Sequence, residues 1–296
     1  GGRAGRLWNR LEPLLWQVLG DLVIAITQHP EEVAAQLGQA VNLGLERVIV
    51  VGGDGTNHVM VNALAELARS HPGARLPAFG TLPIGTGRDW ARTVGIPLRA
   101  EEAVRWLATA QAAPVDVGRL TSGSATVYFL NVASAGISGE IDAHVNAIQR
   151  RRPWTFLAQT VRALMSYAPR PLRVYLDGQP WYEGTAFVVA VANGRNFGHG
   201  MLIAPEAAIN DGLFDVVLAE GMARTTALRA LPSLYNGTHL RRADVHHARA
   251  AEVRIEPDED TLDLDLDGEY DTGQTLEFAI EPGLLPMLQH PTPQHR

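Results

Sequence analysis

The sequence predicts two domains: an α/β domain with a parallel sheet, followed by an antiparallel β-sandwich. The 296 residues exceed the roughly 250 at which a single core stops growing. Short apolar strands alternate with amphipathic helices as far as residue 117, a pattern typical of a parallel sheet flanked by helices. Beyond it, short alternating strands are separated by turn residues. We place the domains at residues 1–120 and 121–296, and leave open whether the C-terminal tail returns to the first domain.

The first domain is predicted to contain three pairs of a strand and a helix. The strands are residues 22–26, 48–51 and 79–84. The helices begin near Pro30, after Gly55 and near Asp89, because the apolar residues that follow these points recur at helical spacing. They end at Gly44, before Pro72 and at Gly95, residues that commonly stop helices.

The second domain is predicted to be rich in short strands. Residues 172–176 lead into Asp177-Gly178, a dipeptide that supplies the positive φ of a type I′ hairpin turn. Further strands are predicted at residues 187–192, 214–218, 253–255, 262–266 and 276–280, and helices at 154–167 and 225–234. The apolar stripes of these two helices are typical of core packing.

Composition excludes several classes of function. A net charge of −7 argues against a nucleic-acid partner, which would require a basic surface. The chain has no cysteine, which excludes disulfides and cysteine zinc sites, and all its 25 Lys and Arg residues are arginines, which excludes a P-loop lysine. No apolar run approaches the roughly 20 residues that span a bilayer. His246 and His247 are adjacent on a predicted strand and point to opposite faces, so we expect no zinc site there.

Gly52-Gly53-Asp54-Gly55-Thr56-Asn57 follows the second strand directly and carries the strongest functional signal. Glycines let the backbone approach a polyphosphate, and the free amides at a helix N-terminus donate to anionic oxygens. Asp54 would repel phosphates unless a divalent cation lies between them, so it is a candidate for magnesium contact or proton transfer. The alternative is that Asp54 only caps the helix that follows.

The spacing of these glycines matches neither a Walker loop nor a Rossmann fingerprint. A second motif, Leu82-Pro83-Ile84-Gly85-Thr86-Gly87-Arg88-Asp89-Trp90-Ala91-Arg92, resembles the Leu-Pro-x-Gly-Thr-x-Asn-Asp-Phe-Ala segment of diacylglycerol, sphingosine and related bacterial lipid kinases. Similarity continues at residues 115–118, 129–136, 193–194, 209–213, 236–239 and 267–269, and the first residues resemble the tail of an opening phosphate loop of that family. The chain is thus identified as a member of the diacylglycerol kinase catalytic-domain family.

This resemblance implies an ATP-dependent lipid kinase on a fold shared with NAD kinases, with ATP and Mg²⁺ as cofactors. It implies that Glu269 is the general base that takes the proton of the lipid hydroxyl, while Asp54 and magnesium neutralise charge. A surface turn in an acidic strip is the alternative for Glu269. The implied nucleotide contacts are Thr27, Gly52, Gly53, Asp54, Gly55, Thr56, Asn57, His58, Gly85, Thr86 and Gly87. A structural magnesium is implied at Asp211, completed by the carbonyl oxygens of Ala208 and Leu213, with an Asn-Asp-Gly turn without metal as the alternative.

The expected partner is a membrane lipid, bound through peripheral contact at the cytoplasmic face of the membrane, and a homodimer is left open. Arg150-Arg151-Arg152 is either a solvated loop or an attraction for anionic lipid. Two other functions remain open: an NAD kinase-like small-molecule kinase and a non-catalytic nucleotide or lipid sensor. The sensor is motivated by two departures from the family pattern: the usual Glu is absent from Asn57-His58-Val59, and Arg88 stands where the family usually has Asn. Arg92, Arg119 and Arg195 are candidate substitutes for a family lysine.

Overall fold

The computed structural model describes residues 2–146, 148, 155–258 and 261–290. They form two compact units: residues 2–115 with 283–290, and residues 116–282. The first elements are α1 (Gly2–Leu19), α2 (Glu32–Asn42), β1 (Arg47–Gly52), α3 (Asp54–Ser70), β2 (Ala78–Pro83), α4 (Asp89–Thr93), α5 (Ala100–Thr109), β3 (Gln111–Ser122), β4 (Ala125–Phe129), β5 (Val132–Gly136), α6 (Ile137–Asn146) and α7 (Thr155–Ser166). The others are β6 (Arg170–Leu176), β7 (Gln179–Ala192), β8 (Asn196–Phe197), β9 (Met201–Leu202), β10 (Phe214–Glu220), α8 (Arg224–Leu234), a 3₁₀ turn (Thr238–Arg241), β11 (Val245–Ala250), β12 (Glu252–Pro257), β13 (Leu262–Leu266), β14 (Glu269–Gly273) and β15 (Leu276–Gln289).

The first unit is an α/β layer built on a parallel pair of strands. β1 and β2 run parallel with Val48 opposite Phe79, and the end of β15 joins β2 in parallel at Met287. Burial of β2 is complete along its length, as expected for a strand covered on both faces. Helices α1 and α5 pack on this sheet through a core that includes Leu11, Leu82 and Leu107. The second and third predicted strand and helix pairs are therefore confirmed.

The strand predicted at residues 22–26 is not formed. This segment has neither helix nor strand structure, and within the described chain no strand pairs with it. Val23 and Ile26 are 65% and 74% exposed. Apolar alternation alone was insufficient, because a strand also needs a neighbour for its backbone hydrogen bonds. From Gly2 on, the residues that resembled a phosphate-loop tail form helix α1 instead, with Leu11 and Leu15 buried.

The second unit is an antiparallel β-sandwich, which confirms the predicted fold class. Strand β7 is long and belongs to both sheets of the sandwich. Its first half pairs with β6, and its second half lies between β5 and β10. Phe129, Phe214 and Phe278 meet in the core, with ring centroids 5.7 and 6.1 Å from Phe129. The core between the sheets is contiguous, so the many short strands share one apolar interior.

The turn and helix predictions for the second unit are also confirmed. Asp177 and Gly178 have φ of 48° and 76°, as a type I′ turn requires, and join β6 to β7. The predicted helices correspond to α7 and α8. Residue 154, the run Arg150-Arg151-Arg152 and the acidic residues 259–260 lie outside the described residues. Among the helices that the structure describes, none is long and apolar enough to cross a bilayer.

Candidate active site

Two glycine turns of the first unit are packed backbone against backbone. Gly52 ends β1, and its carbonyl oxygen accepts the N–H groups of Ile84 (2.8 Å) and Gly85 (3.2 Å). A Cβ at Gly85 would lie 2.6 Å from the Cα of Gly53, closer than any side chain can approach. The structure therefore brings the turns that carry residues 52–56 and 85–87 together. Only glycine permits this contact at residue 85.

The carboxylate of Asp54 joins the same two turns. Oδ2 accepts the backbone N–H of Arg88 at 2.7 Å and that of Asp89 at 3.4 Å, and Oδ1 is 3.5 Å from the N of Trp90. A Cβ at Gly87 would lie 2.6 Å from Oδ2, so this glycine makes room for the carboxylate. The alternative that Asp54 caps its own helix is wrong: Gly53 is the N-cap of α3, and Asp54 caps the start of α4. A negative charge at that N-terminus is favourable.

The remaining predicted nucleotide contacts lie at three places: the first turns of α3, the second glycine turn and the segment after residue 26. Asn57 is 5% exposed, and its Oδ1 has no hydrogen-bond partner among the described residues, so it can accept a donor from a bound ligand. His58 Nε2 is 3.3 Å from Asn62 Nδ2, within the same helix. Thr86 is exposed on the second turn. Thr27 directly follows the segment 22–26 that failed to form a strand, and its side chain is half-buried.

The arginines expected to act near the phosphates have partners within the chain. Arg88 donates from Nη1 to the carbonyl oxygen of Leu98 at 3.0 Å. Arg92 donates to the carbonyl oxygen of Gly87 and to Asp89, so it braces the second glycine turn. In the second unit, Arg119 is 2.6 Å from Glu281, and Arg195 donates to Ala207. These contacts assign all four side chains a structural task.

Glu269 follows a two-residue hairpin turn between β13 and β14. Asp267 and Gly268 have φ of 56° and 91°, again a type I′ turn. The Asp267 carboxylate accepts the backbone N–H groups of three consecutive residues, at 2.7, 2.9 and 3.1 Å from Leu130, Asn131 and Val132. We call this set the Asp267 clamp. The turn is thus fixed to the start of β5, and it presents Glu269 as an exposed side chain.

The site predicted for a structural magnesium does not fit a metal ion. Asp211 Oδ2 accepts a hydrogen bond from the guanidinium of Arg249, and Oδ1 accepts the N–H of Leu213 at 3.2 Å. Each carboxylate oxygen therefore has one hydrogen-bond partner, and the positive guanidinium already occupies the place of a cation beside Oδ2. The prediction that Asp211, Ala208 and Leu213 bind Mg²⁺ is not supported by this geometry.

A deep apolar cavity lies within the second unit, between helices α6, α7 and α8 and the sheet. Including its open mouth, its empty space is about 930 Å³, within the range of small-molecule sites. Its wall includes Ile141, Leu164, Phe187, Met201, Val217 and Leu231. Polar side chains at the wall are mostly engaged with other protein groups: Ser138 accepts a hydrogen bond from Ser134 at 2.7 Å, and Arg242 pairs with Asp244 at 2.6 Å. The surface that the wall exposes to the cavity is therefore almost wholly apolar.

One lining residue of the cavity is hydrogen-bonded to the turn that precedes Glu269. Asp265, 7% exposed, lines the cavity, and its Oδ1 accepts the N–H of Gly268 at 2.7 Å. Asp265 therefore connects the wall of the cavity to the Asp267-Gly268 turn. The sequence showed Asp265 only as one member of an acidic strip, because the alternating pattern of β13 does not reveal which carboxylate lies beside a cavity.

Two ionisable side chains around this cavity have pKa values shifted by burial. Burial raises the pKa of Tyr167 to about 12, although the nearby Arg170 charge opposes the shift. Burial lowers the pKa of His239, whose Nε2 is 2.9 Å from the carbonyl oxygen of Ile203. Both groups are uncharged at neutral pH, which keeps the region apolar.

The two glycine turns at helix starts are typical of a phosphate-binding protein, and the apolar cavity of the second unit is typical of a site for an apolar ligand. Comparison with protein families identifies the protein further. Residues 1–120 match the diacylglycerol kinase catalytic domain, and residues 131–289 match the YegS C-terminal NAD kinase beta sandwich-like domain.

Individual relatives agree with this assignment. A protein named "Diacylglycerol kinase" from Mycobacterium tuberculosis is 30% identical over 93% of this chain and 86% of its own length. A protein named "Probable lipid kinase YegS-like" from Xanthomonas oryzae pv. oryzae is 30% identical over 90% of this chain and 86% of its own. The chain belongs to the diacylglycerol kinase family, and it is an ATP-dependent lipid kinase.

Solved structures support the fold. The crystal structure of a diacylglycerol kinase from Bacillus anthracis str. Sterne has a TM-score of 0.70 at 23% identity, covering 96% of this chain and 92% of that one. Another structure from the same organism reaches a TM-score of 0.76 at 26% identity, covering 97% and 92%.

Proposed function

We propose that this protein transfers the γ-phosphate of ATP to a hydroxyl group of a membrane lipid with long hydrocarbon chains, with diacylglycerol as the first candidate. The observation that carries the proposal is the apolar cavity whose wall includes Asp265, the residue bonded to the turn of Glu269. A lipid whose hydrocarbon fills this cavity would have its polar end at the cavity mouth. An apolar acceptor is favoured over a soluble dinucleotide, because an almost wholly apolar wall offers a polar acceptor no hydrogen bonds.

The nucleotide would bind at the glycine turns of the first unit. The free amides at the start of α3 suit phosphate oxygens, and the close glycine contact keeps side chains out of their way. Asn57 Oδ1, buried and without a partner among the described residues, suits a donor of the nucleotide. We assign phosphate contacts to residues 52–57 and 85–87.

Mg²⁺ is proposed as the counterion of the ATP phosphates. The donor set fits at this place: Asp54 supplies a hard carboxylate oxygen beside the glycine turn, the ligand type that magnesium prefers. When bound, the ion would supply charge neutralisation for phosphoryl transfer. The residues of the chain hold the two turns in register, which positions the phosphates.

Glu269 is proposed as the general base. It is exposed, it follows a turn fixed by the Asp267 clamp, and its carboxylate can accept the proton of an attacking hydroxyl. Phosphoryl transfer demands mainly positioning, so a rigid turn suits this task better than a mobile loop.

Membrane contact is proposed through α7 and α8, the helices that cover the cavity. Val161 and Met165 are 38% and 52% exposed on α7, one turn apart, while Leu164 of the same helix points to the cavity. The two helices carry Arg162, Arg224 and Arg229 and no acidic residue, in a chain of net charge −7. This local charge favours an anionic lipid surface. Because the reaction consumes ATP, we propose the cytoplasmic face of the membrane as its location.

The test is transfer of labelled γ-phosphate from MgATP to a panel of lipids in mixed micelles. We expect a phosphorylated lipid product, a loss of at least about 100-fold in kcat for Glu269→Gln, and unchanged turnover for Glu277→Gln, an exposed glutamate on β15. Ala230→Trp, which fills the cavity, should raise KM for lipid and leave ATP binding intact. ATP binding without any lipid product would favour the sensor, and phosphorylation of NAD instead would favour the small-molecule kinase.

A further inference from the structure

We propose that the guanidinium of Arg249 takes the place of a divalent cation at the turn of residues 209–213, so that the second unit needs no resident metal ion there. Family resemblance had predicted a structural magnesium at this turn. The proposal concerns folding, and it holds whichever lipid or nucleotide the protein uses.

Arg249 bridges two carboxylates. One guanidinium nitrogen, Nη2, donates to Asp211 Oδ2, and Nε lies 3.5 Å from Asp215 Oδ2. The planar guanidinium presents several donors in fixed directions, so it can contact two carboxylates at once and offset part of their negative charge. The N–H of Leu213 donates to the other oxygen, Oδ1, at 3.2 Å.

The position of Arg249 follows from strand register. Arg249 on β11 is directly opposite Asp215 on β10, so the sheet itself places the guanidinium at the turn. Asp215 is 1% exposed, and its Oδ1 is 2.7 Å from His247 Nε2. A buried carboxylate needs a charged or hydrogen-bonding partner, and Arg249 and His247 supply it.

A second side chain holds the turn from within the same unit. Asp116 Oδ2 accepts the N–H of Gly212 at 2.8 Å, and the N–H of Asp116 donates to Ile209 at 2.7 Å. The turn is therefore fixed by protein groups on either side of Asp211. A divalent ion at Asp211 would have to displace the guanidinium of Arg249. Because Arg249 is held on β11 beside the turn, its positive charge would remain close and would repel the ion.

The experiment is thermal unfolding after treatment with EDTA, with and without millimolar Mg²⁺ and without nucleotide. We expect the Tm of the wild type to be unchanged by Mg²⁺. Arg249→Ala should lower Tm by about 4 °C or more, and Mg²⁺ should restore part of the loss, because Asp211 and Asp215 are then open to a cation. The double variant Arg249→Ala/Asp211→Asn should show no recovery.

Arg173→Ala is the matched control. Arg173 also bridges two carboxylates of the same unit, Glu256 and Asp258, both at 3.8 Å, and its side chain is 45% exposed, against 43% for Arg249. We expect a smaller loss of Tm and no response to Mg²⁺, because Glu256 keeps its ion pair with Arg254 at 3.1 Å and the side chain of Asp258 is 55% exposed.

A rise in the Tm of the wild type with Mg²⁺ that Asp211→Asn abolishes would overturn the proposal. If Arg249→Ala does not fold, Arg249→Lys and direct Mn²⁺ binding to the wild type decide the question. The proposal expects no Mn²⁺ site that depends on Asp211 in the wild type, and one such site would contradict it.

Discussion

Each unit contains an Asp-Gly dipeptide whose aspartate accepts backbone hydrogen bonds, and these bonds are on average shorter in the second unit than in the first. Asp54-Gly55 begins a helix and Asp267-Gly268 forms a hairpin turn, yet each carboxylate accepts N–H groups from a distant segment. Asp267 makes contacts of 2.7, 2.9 and 3.1 Å, whereas those of Asp54 are 2.7, 3.4 and 3.5 Å. Because hydrogen bonds weaken beyond about 3.2 Å, Asp267 mainly serves the fold. Asp54 combines one strong structural bond with a place at the phosphate turn.

The largest expected effect is on catalysis by Asp54→Asn. The substitution keeps an oxygen for the N–H of Arg88 but removes the charge beside the phosphates. We expect kcat for phosphoryl transfer to fall by about 100-fold or more and unfolding free energy to fall by only about 1 kcal/mol. Steady-state kinetics and thermal unfolding of the same preparation measure both. Turnover within threefold of the wild type would remove Asp54 from the reaction.

For Asp267→Asn we expect the opposite balance, with a larger effect on unfolding free energy than on catalysis. Three N–H groups would lose a charged acceptor and face an amide NH₂ or one neutral oxygen. We expect a loss of about 2–3 kcal/mol, seen as a decrease in Tm of roughly 4–12 °C. The matched control is Asp271→Asn, an exposed aspartate on the adjacent strand β14 whose carboxylate bonds only to the neighbouring Thr272 N–H. A Tm for Asp267→Asn equal to that of the control would show that the clamp does not stabilise the turn.

The comparison also shows where sequence reasoning was sufficient. The glycine turns could be predicted because their signal is local: a strand, glycines and the first turn of a helix follow one another. The type I′ turns at Asp177 and Asp267 share this property, since both residues of each turn must adopt positive φ. The family resemblance then supplied the kinase activity.

Features that depend on distant contacts could not be predicted. Asp267 is 135 to 137 positions from the amides that it binds, and Arg249 is 38 positions from Asp211, so no local spacing reveals either pair. The strand expected at residues 22–26 failed for the same reason, because pairing depends on a neighbour that apolar alternation does not specify. The cavity requires three helices and a sheet to be placed together, which no local pattern specifies.

A smaller effect is expected from the pH dependence of His239. Burial lowers its pKa below the ordinary 6.5, and the neighbouring charge of His247 acts in the same direction. The unfolded chain then binds the proton more readily, so stability that is full above pH 6.5 is lost as the pH falls towards the lowered pKa.

We expect unfolding free energy to fall between pH 6.5 and 5.5 in the wild type, and less steeply in His239→Gln. Asp244, whose pKa is lowered by its hydrogen bond with Arg242, loses its contribution only as the pH falls below its ordinary 3.8, outside this window. Denaturant unfolding at several pH values measures the slope. Equal slopes in both proteins would mean that His239 is not the titrating group.

The smallest effect on stability is expected at Arg88, at the start of helix α4, where backbone strain and a side-chain hydrogen bond oppose each other. Arg88 has φ of 58°, a left-handed conformation that costs a side chain about 1 kcal/mol and that asparagine tolerates best. Its Nη1 bond to Leu98, at 3.0 Å, contributes a similar amount in the opposite sense. Arg88→Asn should therefore change unfolding free energy by less than about 0.5 kcal/mol, while Arg88→Ala, which keeps the strain and loses the bond, should cost about 1 kcal/mol. The backbone N–H of residue 88 remains available to Asp54 in both variants. If both were equally stable, the backbone strain would be negligible, and the Asp54 contact alone would fix the conformation of this turn.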